Sequence, residues 1–350
     1  MNIFVLYGGK SAEHDVSIIS AYNILKEVYY QYYTATPIYI TREGQWMRKA
    51  TITSVDDVPT HAAMTEDLEP FSIEALKADD SIVFPVLHGP NGEDGTMQGL
   101  FEVMDVPYVG CGVLASSTGM DKIVSKVLFD AAGIPILPYE AVTPAEWQAK
   151  KYEVITRVEL NLLYPVYVKP ANLGSSVGIS EVKNTDELIE AIDLAFEYDH
   201  RVLVDQGIEA REVEIAVLGN DDVNVSVVGE LVKDTQFYDY KAKYESNDVG
   251  LRIPAQLEDD TVSRIKKYAA DAFLATDGSG LMRADFFVTA DNDIFINEVN
   301  TFPGFTPISM YPKLWEATGL SYGDLIEELI QLGLRRHKSR QMSSMKDRSK

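Results

Sequence analysis

Arg283-Ala284-Asp285-Phe286-Phe287 and, after a short polar turn, Asn297-Glu298-Val299-Asn300-Thr301-Phe302-Pro303-Gly304 set polar side chains in two segments that otherwise read as buried strands. Arg283 and Asp285 alternate with Ala284 and Phe286, so both fall on one face of a strand. Glu298 and Asn300 do the same around Val299, after the apolar run Ile294-Phe295-Ile296. The segment Thr289-Ala-Asp-Asn-Asp293 between them is polar and turn-rich, which predicts a hairpin. That hairpin brings a carboxylate from each strand, one amide and one guanidinium to a common face. Oxygen-only ligands of this kind suit Mg²⁺, which keeps company with substrate phosphates. The alternative is a ladder of surface ion pairs on a sheet edge, which has no need of an Asn beside the acid or a Pro-Gly turn behind it. The pattern points to ATP chemistry.

Four other segments carry polar groups at places where a ligand could be met. Gly8-Gly9-Lys10-Ser11 is not a P-loop, because the first glycine of that motif would fall at Phe4. It is followed by Ala12-Glu13-His14-Asp15, which sets carboxylates at the start of a helix; they either meet a ligand or only complement the helix dipole. Leu87-His88-Gly-Pro-Asn-Gly-Glu93-Asp94-Gly95 follows a buried-looking strand, the place where α/β sheets bind ligands, or is a polar turn whose Asp94 caps the next helix. Lys169 ends a strand before Gly174-Ser175-Ser176-Val177-Gly178, whose glycines and hydroxyls could cradle a phosphate or form a plain surface loop. Phe237-Tyr-Asp-Tyr-Lys-Ala-Lys243-Tyr244 lies in a long loop. It fits a lid over a nucleotide with Lys243 on the phosphates, or an aromatic patch packed on a neighbouring domain.

The elements that must position these residues are legible in outline. Asn2–Tyr7, the Gly8-Gly9 turn and an apolar period over Val16, Ile19, Ala21, Ile24 and Leu25 read as strand, turn and helix, the opening of an α/β domain. Further strands are expected at Thr36–Ile40, Ser81–Leu87 and Pro107–Val109, with a helix from Asp94 to Met104. The acidic stretch from Ser54 to Asp80 reads as surface structure. Past residue 120, Asp121 to Ala132 reads as a helix and Tyr164 to Lys169 as a strand. Asn184-Thr-Asp-Glu187 is a capping-box-like start for a helix to about Glu197. Strands then dominate: Arg201–Gln206, Glu212–Leu218 and Val223–Lys233. Helices are expected at Asp259–Ala275 and Tyr322–Leu334. The basic residues from Arg335 to Lys350 lack a core pattern and read as a disordered tail.

Bulk properties narrow the classes of function. The 350 residues suit two or three domains. A net charge of −23 argues against non-specific nucleic-acid or anionic-membrane binding. In so acidic a chain, cations that meet a nucleotide have to be placed one by one. Cys111 is the only cysteine, so there is no disulfide framework and no cysteine-rich metal site. No signal-peptide pattern or membrane-length apolar run is found, and the cytoplasm is the expected compartment.

Taken together these segments resemble the D-alanine–D-alanine ligase family of the ATP-grasp superfamily, from Val5 to about Leu334. The carrying motifs are Tyr7-Gly-Gly-Lys-Ser-Ala-Glu13-His-Asp-Val-Ser17, the His88 loop, Met120-Asp-Lys122, Val168-Lys169-Pro170 with its Gly-Ser loop, the Phe237–Tyr244 segment, and Arg283 through Gly304 to Ser309-Met-Tyr-Pro312. The implied fold is α/β and α+β, with an N-terminal parallel-sheet, Rossmann-like domain over 1–120. A two-part ATP-grasp fold follows over 121–212 and 213–334, before the tail at 335–350.

The resemblance also implies roles. Asp285, Glu298 and Asn300 would hold two Mg²⁺ (or Mn²⁺) ions on the phosphates of ATP. Lys122, Lys169, Ser176 and Lys243 would contact ATP, with Asp205 and Glu212 along the adenosine pocket. Glu13 would bind the ammonium of the first D-alanine with His88 nearby, and Ser175 and Tyr244 would link to Glu13 as the lid closes. Arg283, the Gly304 N–H and Ser309 would orient the reacting carboxyl groups. The implied activity is ATP-dependent joining of two D-alanines through an acyl phosphate, for peptidoglycan precursors, in a homodimer. Alternatives are a related ligase using D-lactate or D-serine, against which Tyr244 speaks, and a nucleotide-binding protein without turnover. Three positions depart from the pattern: Asp205 replaces a common Glu, Gln206 a frequent basic residue, and Lys241 a frequent acid.

Overall fold

The computed structural model describes residues 1–174, 177–233 and 249–348. Its first sheet has the order β4-β3-β2-β1-β5, built from β1 (Asn2–Gly8), β2 (Thr34–Ile40), β3 (Trp46–Arg48), β4 (Glu69–Pro70) and β5 (Ser81–Pro85). β1 runs parallel to both β2 and β5. Helix α1 (His14–Glu27) carries the chain from β1 to β2. β1 is a continuous apolar run because both its faces are covered. Ile3, Val5 and Tyr7 pack with Ile18 and Ala21 of α1, while Phe4 and Leu6 pack with Phe101 of α2 (Thr96–Met104). The chain leaves β1 towards β2 on one side and later returns to β5 on the other. A crevice therefore opens beyond the carboxyl ends of β1 and β5, and Glu13 and His88 follow those two ends.

Between residues 54 and 80 the expected surface stretch forms short 3₁₀ turns, pinned to the domain by fully buried Met64 and Leu76. The strand expected at Pro107–Val109 is reduced to a parallel bridge between Val83 and Tyr108.

Two short helices follow, α3 (Val113–Met120) and α4 (Lys122–Ala131), the second capped by Asp121, which accepts from the N–H groups of Ile123 and Val124. An antiparallel sheet of order β6-β9-β7-β8 comes next, from β6 (Tyr139–Val142), β7 (Val166–Pro170), β8 (Ser180–Val182) and β9 (Val202–Gln206). Helices α5 (Pro144–Asn161) and α6 (Thr185–Ala195) supply Trp147, Val154, Leu188 and Ile192 to its core. The expected cap of α6 is present: Asn184 accepts from the Glu187 N–H, and Glu187 accepts from the Lys183 N–H at 2.8 Å.

The third sheet is antiparallel, of order β12-β11-β10-β13-β14, from β10 (Arg211–Gly219), β11 (Val223–Lys233), β12 (Val249–Arg252), β13 (Gly280–Val288) and β14 (Ile294–Asn300). Helix α7 (Asp259–Ala275) lays Ile265, Ala269 and Phe273 on one face, against Val213, Ile215, Ala284, Phe286 and Ile296. The predicted hairpin is β13–β14. Its opposite face carries the polar residues.

Helices α8 (Met310–Thr318) and α9 (Tyr322–Arg348) close the chain. The tail read as disordered is thus helical as far as Arg348 among the described residues. Its basic residues have partners: Arg336 stacks 4.1 Å over the Tyr108 ring and Arg340 pairs with Glu102 at 2.7 Å. Those partners lie far away in sequence and leave no local period. Among the described residues no helix is long and apolar enough to cross a membrane.

Candidate active site

The polar face of the third sheet is ordered by register. Glu214 on β10 stands opposite Asp285 on β13, which stands opposite Glu298 on β14, so three carboxylates share one rung. Ala216, Arg283 and Asn300 form the next rung on the same side. Simple alternation along β14 would put Glu298 and Asn300 on the side of buried Ile294 and Ile296. A bulge between Asp285 and Phe286 in the β13–β14 pairing changes that. Asn297 is the extra residue, and the strand beyond it is turned over, so that Glu298 and Asn300 face the site while Val299 is buried.

Charge on this face is closely paired. Arg283 donates to both oxygens of Asp285 at 2.8 and 2.7 Å and lies 3.0 Å from Glu214. Lys122, at the first turn of α4, sits 3.4 Å from Glu298 and donates to the Leu173 carbonyl at 2.6 Å. Asn300 accepts from the Phe302 N–H at 3.1 Å. The Glu214, Asp285 and Arg283 side chains are largely shielded from solvent, so this is no solvent-facing ladder. The donor set of Asp285, Glu298 and Asn300 is all oxygen, which fits a hard divalent cation. Among the described residues no three His, Cys, Asp or Glu side chains converge on one point. A cation here would be completed by oxygens from outside the protein, as Mg²⁺ sites on phosphates are.

The central sheet supplies the other cations. Lys169 on β7 reaches Asp205 at 2.9 Å and the Asn297 amide oxygen at 3.4 Å. Asp205 is expected to line an adenosine pocket, but its side chain is closed off at 1% exposure, with Lys126 on its other oxygen at 2.9 Å. Glu212 lies on β10, two residues before Glu214 on the same strand face. Gln206 serves its own loop: its amide pairs with both the N–H and the carbonyl of Leu163 at 2.8 Å, as a backbone strand would.

The crevice beyond β1 and β5 is adjacent. Glu13 occupies the N-cap position of α1 without a side-chain capping bond, while Asp15 in the first turn pairs with Arg42. The Glu13 carboxylate lies against two glycines. A Cβ at Gly89 would come within 2.8 Å of it and one at Gly174 within 3.5 Å. His88 is buried, with Nδ1 3.1 Å from the Phe302 carbonyl and 3.7 Å from Glu93, and Nε2 3.2 Å from Ser20 Oγ. Burial opposes charge on His88, but Glu93, the Glu13 charge and the Phe302 carbonyl raise its pKa on balance. Burial also raises the pKa of Glu93, with Glu13 adding to it and His88 opposing. Asp94 holds the loop by accepting from Asn91 and Thr96 N–H groups at 2.8 and 3.0 Å, just ahead of α2.

Ser309 starts α8 and accepts from the Thr306 N–H at 2.9 Å; a Cβ at Gly304 would meet its Oγ at 2.8 Å. Ser175, Ser176, Lys243 and Tyr244, with the lid expected over 235–248 and Lys241 in it, lie outside the described residues.

A family model described as D-ala D-ala ligase N-terminus matches residues 2–111, and one described as D-ala D-ala ligase C-terminus matches residues 128–331. The chain belongs to the D-alanine–D-alanine ligase family. A D-alanine–D-alanine ligase of Enterococcus faecalis (strain ATCC 700802 / V583) is 50% identical over 348 residues, 97% of this chain and 100% of that relative. One from Staphylococcus carnosus (strain TM300) is 52% identical over 352 residues, 99% of this chain and 98% of that relative. Among solved structures, the D-alanine-D-alanine ligase from Coxiella burnetii has a TM-score of 0.84 at 34% identity, covering 99% of this chain and 97% of its own. The VanG D-Ala:D-Ser ligase from Enterococcus faecalis has a TM-score of 0.84 at 36% identity, covering 95% and 99%. The fold of this ligase-family chain is the mixed α/β, ATP-grasp architecture that the resemblance implied.

Within this ligase-family site, four residues escape the sequence reading. Glu214 could have been found, because it repeats the polar position of Glu212 two residues on in an apolar strand. Lys126 could also have been found, one helical turn after Lys122. The bulged Asn297 has no local signal, and the pairing of Glu93 with His88 depends on the loop's path.

Proposed function

We propose that this protein joins two D-alanines to D-alanyl-D-alanine at the expense of ATP, supplying a peptidoglycan precursor in the cytoplasm. The observation that carries this is the meeting of two sets of groups. The Glu13 carboxylate of the first crevice lies against Gly174, which leads into the loop after Lys169, and His88 contacts the carbonyl of Phe302, just past Asn300. An acid suited to an ammonium therefore adjoins cations and carboxylates suited to a metal-bound triphosphate. We divide the chain at about 120 and 212, the second cut falling at the start of β10 (Arg211–Gly219), and a homodimer is the assembly the family resemblance supports.

In the reaction, a carboxylate oxygen of the first D-alanine bonds to the γ-phosphorus as the β–γ bridging bond breaks. ADP leaves and an acyl phosphate remains. The amine of the second D-alanine then attacks the acyl carbon, the carbon–oxygen bond to phosphate breaks, and the amine proton passes to solvent. Asp285, Glu298 and Asn300 would hold Mg²⁺ (or Mn²⁺) brought with ATP, which neutralises phosphate charge when bound. Lys122 and Lys169 add fixed positive charge. Glu13 fixes the first ammonium. Arg283 and the Gly304 N–H are suited to the oxyanion of the second step. Lys243 would join the phosphates and Glu212 the ribose. Ser175, Ser176 and Tyr244 would close over the acyl phosphate, which water would otherwise hydrolyse.

Purified protein given ATP, Mg²⁺ and D-alanine should release phosphate and dipeptide together. D-serine or D-lactate offered beside D-alanine tests the second subsite, and preferential joining of either would overturn the product assignment. Glu13→Gln should raise the D-alanine requirement far more than the ATP requirement; equal effects on both would remove its assigned role.

A further inference from the structure

Lys126 belongs to no motif that brought the site to light, yet it is among the most deeply buried charged side chains of the molecule, at 1% exposure. Its ammonium lies 2.9 Å from one oxygen of Asp205, 3.4 Å from the Leu137 carbonyl and 5.4 Å from the centre of the Tyr139 ring. The other Asp205 oxygen is held at 2.9 Å by Lys169. One carboxylate thus stands between two lysines, with α4 on one side and β7 on the other. Water is excluded from the acid, so its charge has to be balanced by these neighbours.

The two lysines differ in what else they face. Lys126 points only into the interior. Lys169, at 8% exposure, also reaches the amide oxygen of Asn297, the residue beside Glu298 on the site face. With a single lysine, Asp205 and Lys169 would form a neutral pair that offers little attraction to an anion. A second lysine on the same carboxylate leaves the cluster with one surplus positive charge, and Lys169 is the member that can present it. We propose that Lys126 is a positioning residue that neutralises Asp205 from behind and so leaves the charge of Lys169 available to the nucleotide phosphates.

The same carboxylate acts on both lysines. Burial presses the pKa of Lys126 down, with Asp205 opposing and the Lys169 charge adding to the depression. Burial opposes charge on Lys169 as well, but Asp205, and beyond it Glu298 and Glu212, raise its pKa on balance. The inference rests on the nucleotide-dependent ligase assigned above.

The test is calorimetric titration of the full-length protein with Mg²⁺-ADP, together with the KM for ATP and for D-alanine. Lys126→Met keeps the side-chain length and removes the charge. It should weaken ADP binding and raise the ATP KM by about tenfold, with the D-alanine KM unchanged. Lys126→Arg keeps the charge and should bind ADP nearly as wild type does. The deciding variant is Lys126→Met combined with Asp205→Asn, which removes acid and base together. Nucleotide affinity should then recover, because Lys169 no longer has an acid to neutralise it. A double variant as weak as Lys126→Met, or an arginine variant as weak as the methionine one, overturns the proposal, since a packing role predicts both. Wild-type protein that binds no nucleotide overturns the ligase assignment and this inference with it. Wild type that binds, with Lys126→Met binding equally well, overturns this inference alone.

Discussion

The third sheet carries an arginine–carboxylate cluster on each of its faces, and the two are built with opposite balance. On the α7 side, Glu230 receives Arg211 at 2.7 and 2.8 Å and Arg252 at 2.9 Å, two cations on one acid. On the site side, among the described residues, Arg283 is shared by Asp285 and Glu214, with Glu298 next along the rung and Lys122 3.4 Å from it. The surplus in the first cluster is harmless, because Arg211 and Arg252 are more than a third exposed and water screens them. Among the described residues, the second sets three carboxylates beside Arg283 and Lys122, and its Glu214 and Asp285 side chains are largely shielded from solvent. Such an arrangement is suited to a ligand that brings its own cation. The same residue types therefore make a fastening on one face and a binding surface on the other.

The largest expected effect lies on the acid-rich face. Asp285→Asn should lower kcat by roughly a thousandfold, about 4 kcal/mol of transition-state stabilisation, if it helps hold the metal on the phosphates. Its thermal midpoint should stay level or rise, because one of two acids competing for Arg283 is removed. Steady-state phosphate release and a melting curve measure the two. Undiminished turnover with a lower midpoint would make this cluster a fastening like the other and erase the contrast.

Glu230→Gln should behave in the opposite way, with turnover unchanged and about 2 kcal/mol of stability lost; partial exposure of both arginines keeps the loss below that of a fully buried pair. The pH dependence sharpens this. The hydrogen bond from Arg211 holds the Glu230 pKa below its ordinary 4.5, against burial, with the charges of Arg211 and Arg252 adding to the effect. A group with a depressed folded-state pKa stabilises the fold above its unfolded pKa, and that stabilisation is lost as pH falls through the folded value. The stability gap between wild type and Glu230→Gln, read from urea unfolding, should hold from neutrality to about pH 5 and shrink below it. A gap that stays constant into acid would mean that packing, and not charge, is what the substitution removes.

How far this contrast was legible in the sequence depends on the range of the interaction. Arg283 and Asp285 announce themselves because they interrupt an apolar strand at a period of two, and the hairpin follows from the turn residues between them. Glu13, His88 and Lys169 stand at the ends of strands, where the α/β pattern leads one to look. Helices such as α5 and α8 escaped because their buried stripes are short and interrupted. The bulge at Asn297 escaped for a different reason. Strict alternation would have turned Glu298 and Asn300 into the core, and only pairing with β13 decides that one residue is left over. Glu230 gave no sign of its role, since its two arginines come from β10 and β12 and meet it only once the sheet is ordered. The second partner of Asp205 was hidden for the same cause: Lys126 arrives from a helix 79 residues earlier by their numbering in the chain.

The smallest effect concerns a further arginine, Arg336, in the stretch that lacked a core pattern. Its guanidinium stacks 4.1 Å over the Tyr108 ring, donates to Ser279 Oγ at 2.7 Å and to the Tyr108 carbonyl at 3.3 Å, and also donates to the Gly110 carbonyl. These partners belong to the segment leaving the first sheet and to the turn entering β13, so one side chain of α9 ties both to the final helix. The cation–π contact and the hydrogen bonds to neutral oxygens together predict a loss of about 1–2 kcal/mol for Arg336→Ala. Turnover should not change, because the tie lies away from the site face. Arg336→Lys should recover only part of the loss, since an ammonium cannot both stack flat on the ring and reach three acceptors in a fixed fork. An alanine variant that unfolds at the same urea concentration as wild type would show that the Arg336 tie contributes nothing to the fold. The fastening role would then be confined to the Glu230 cluster.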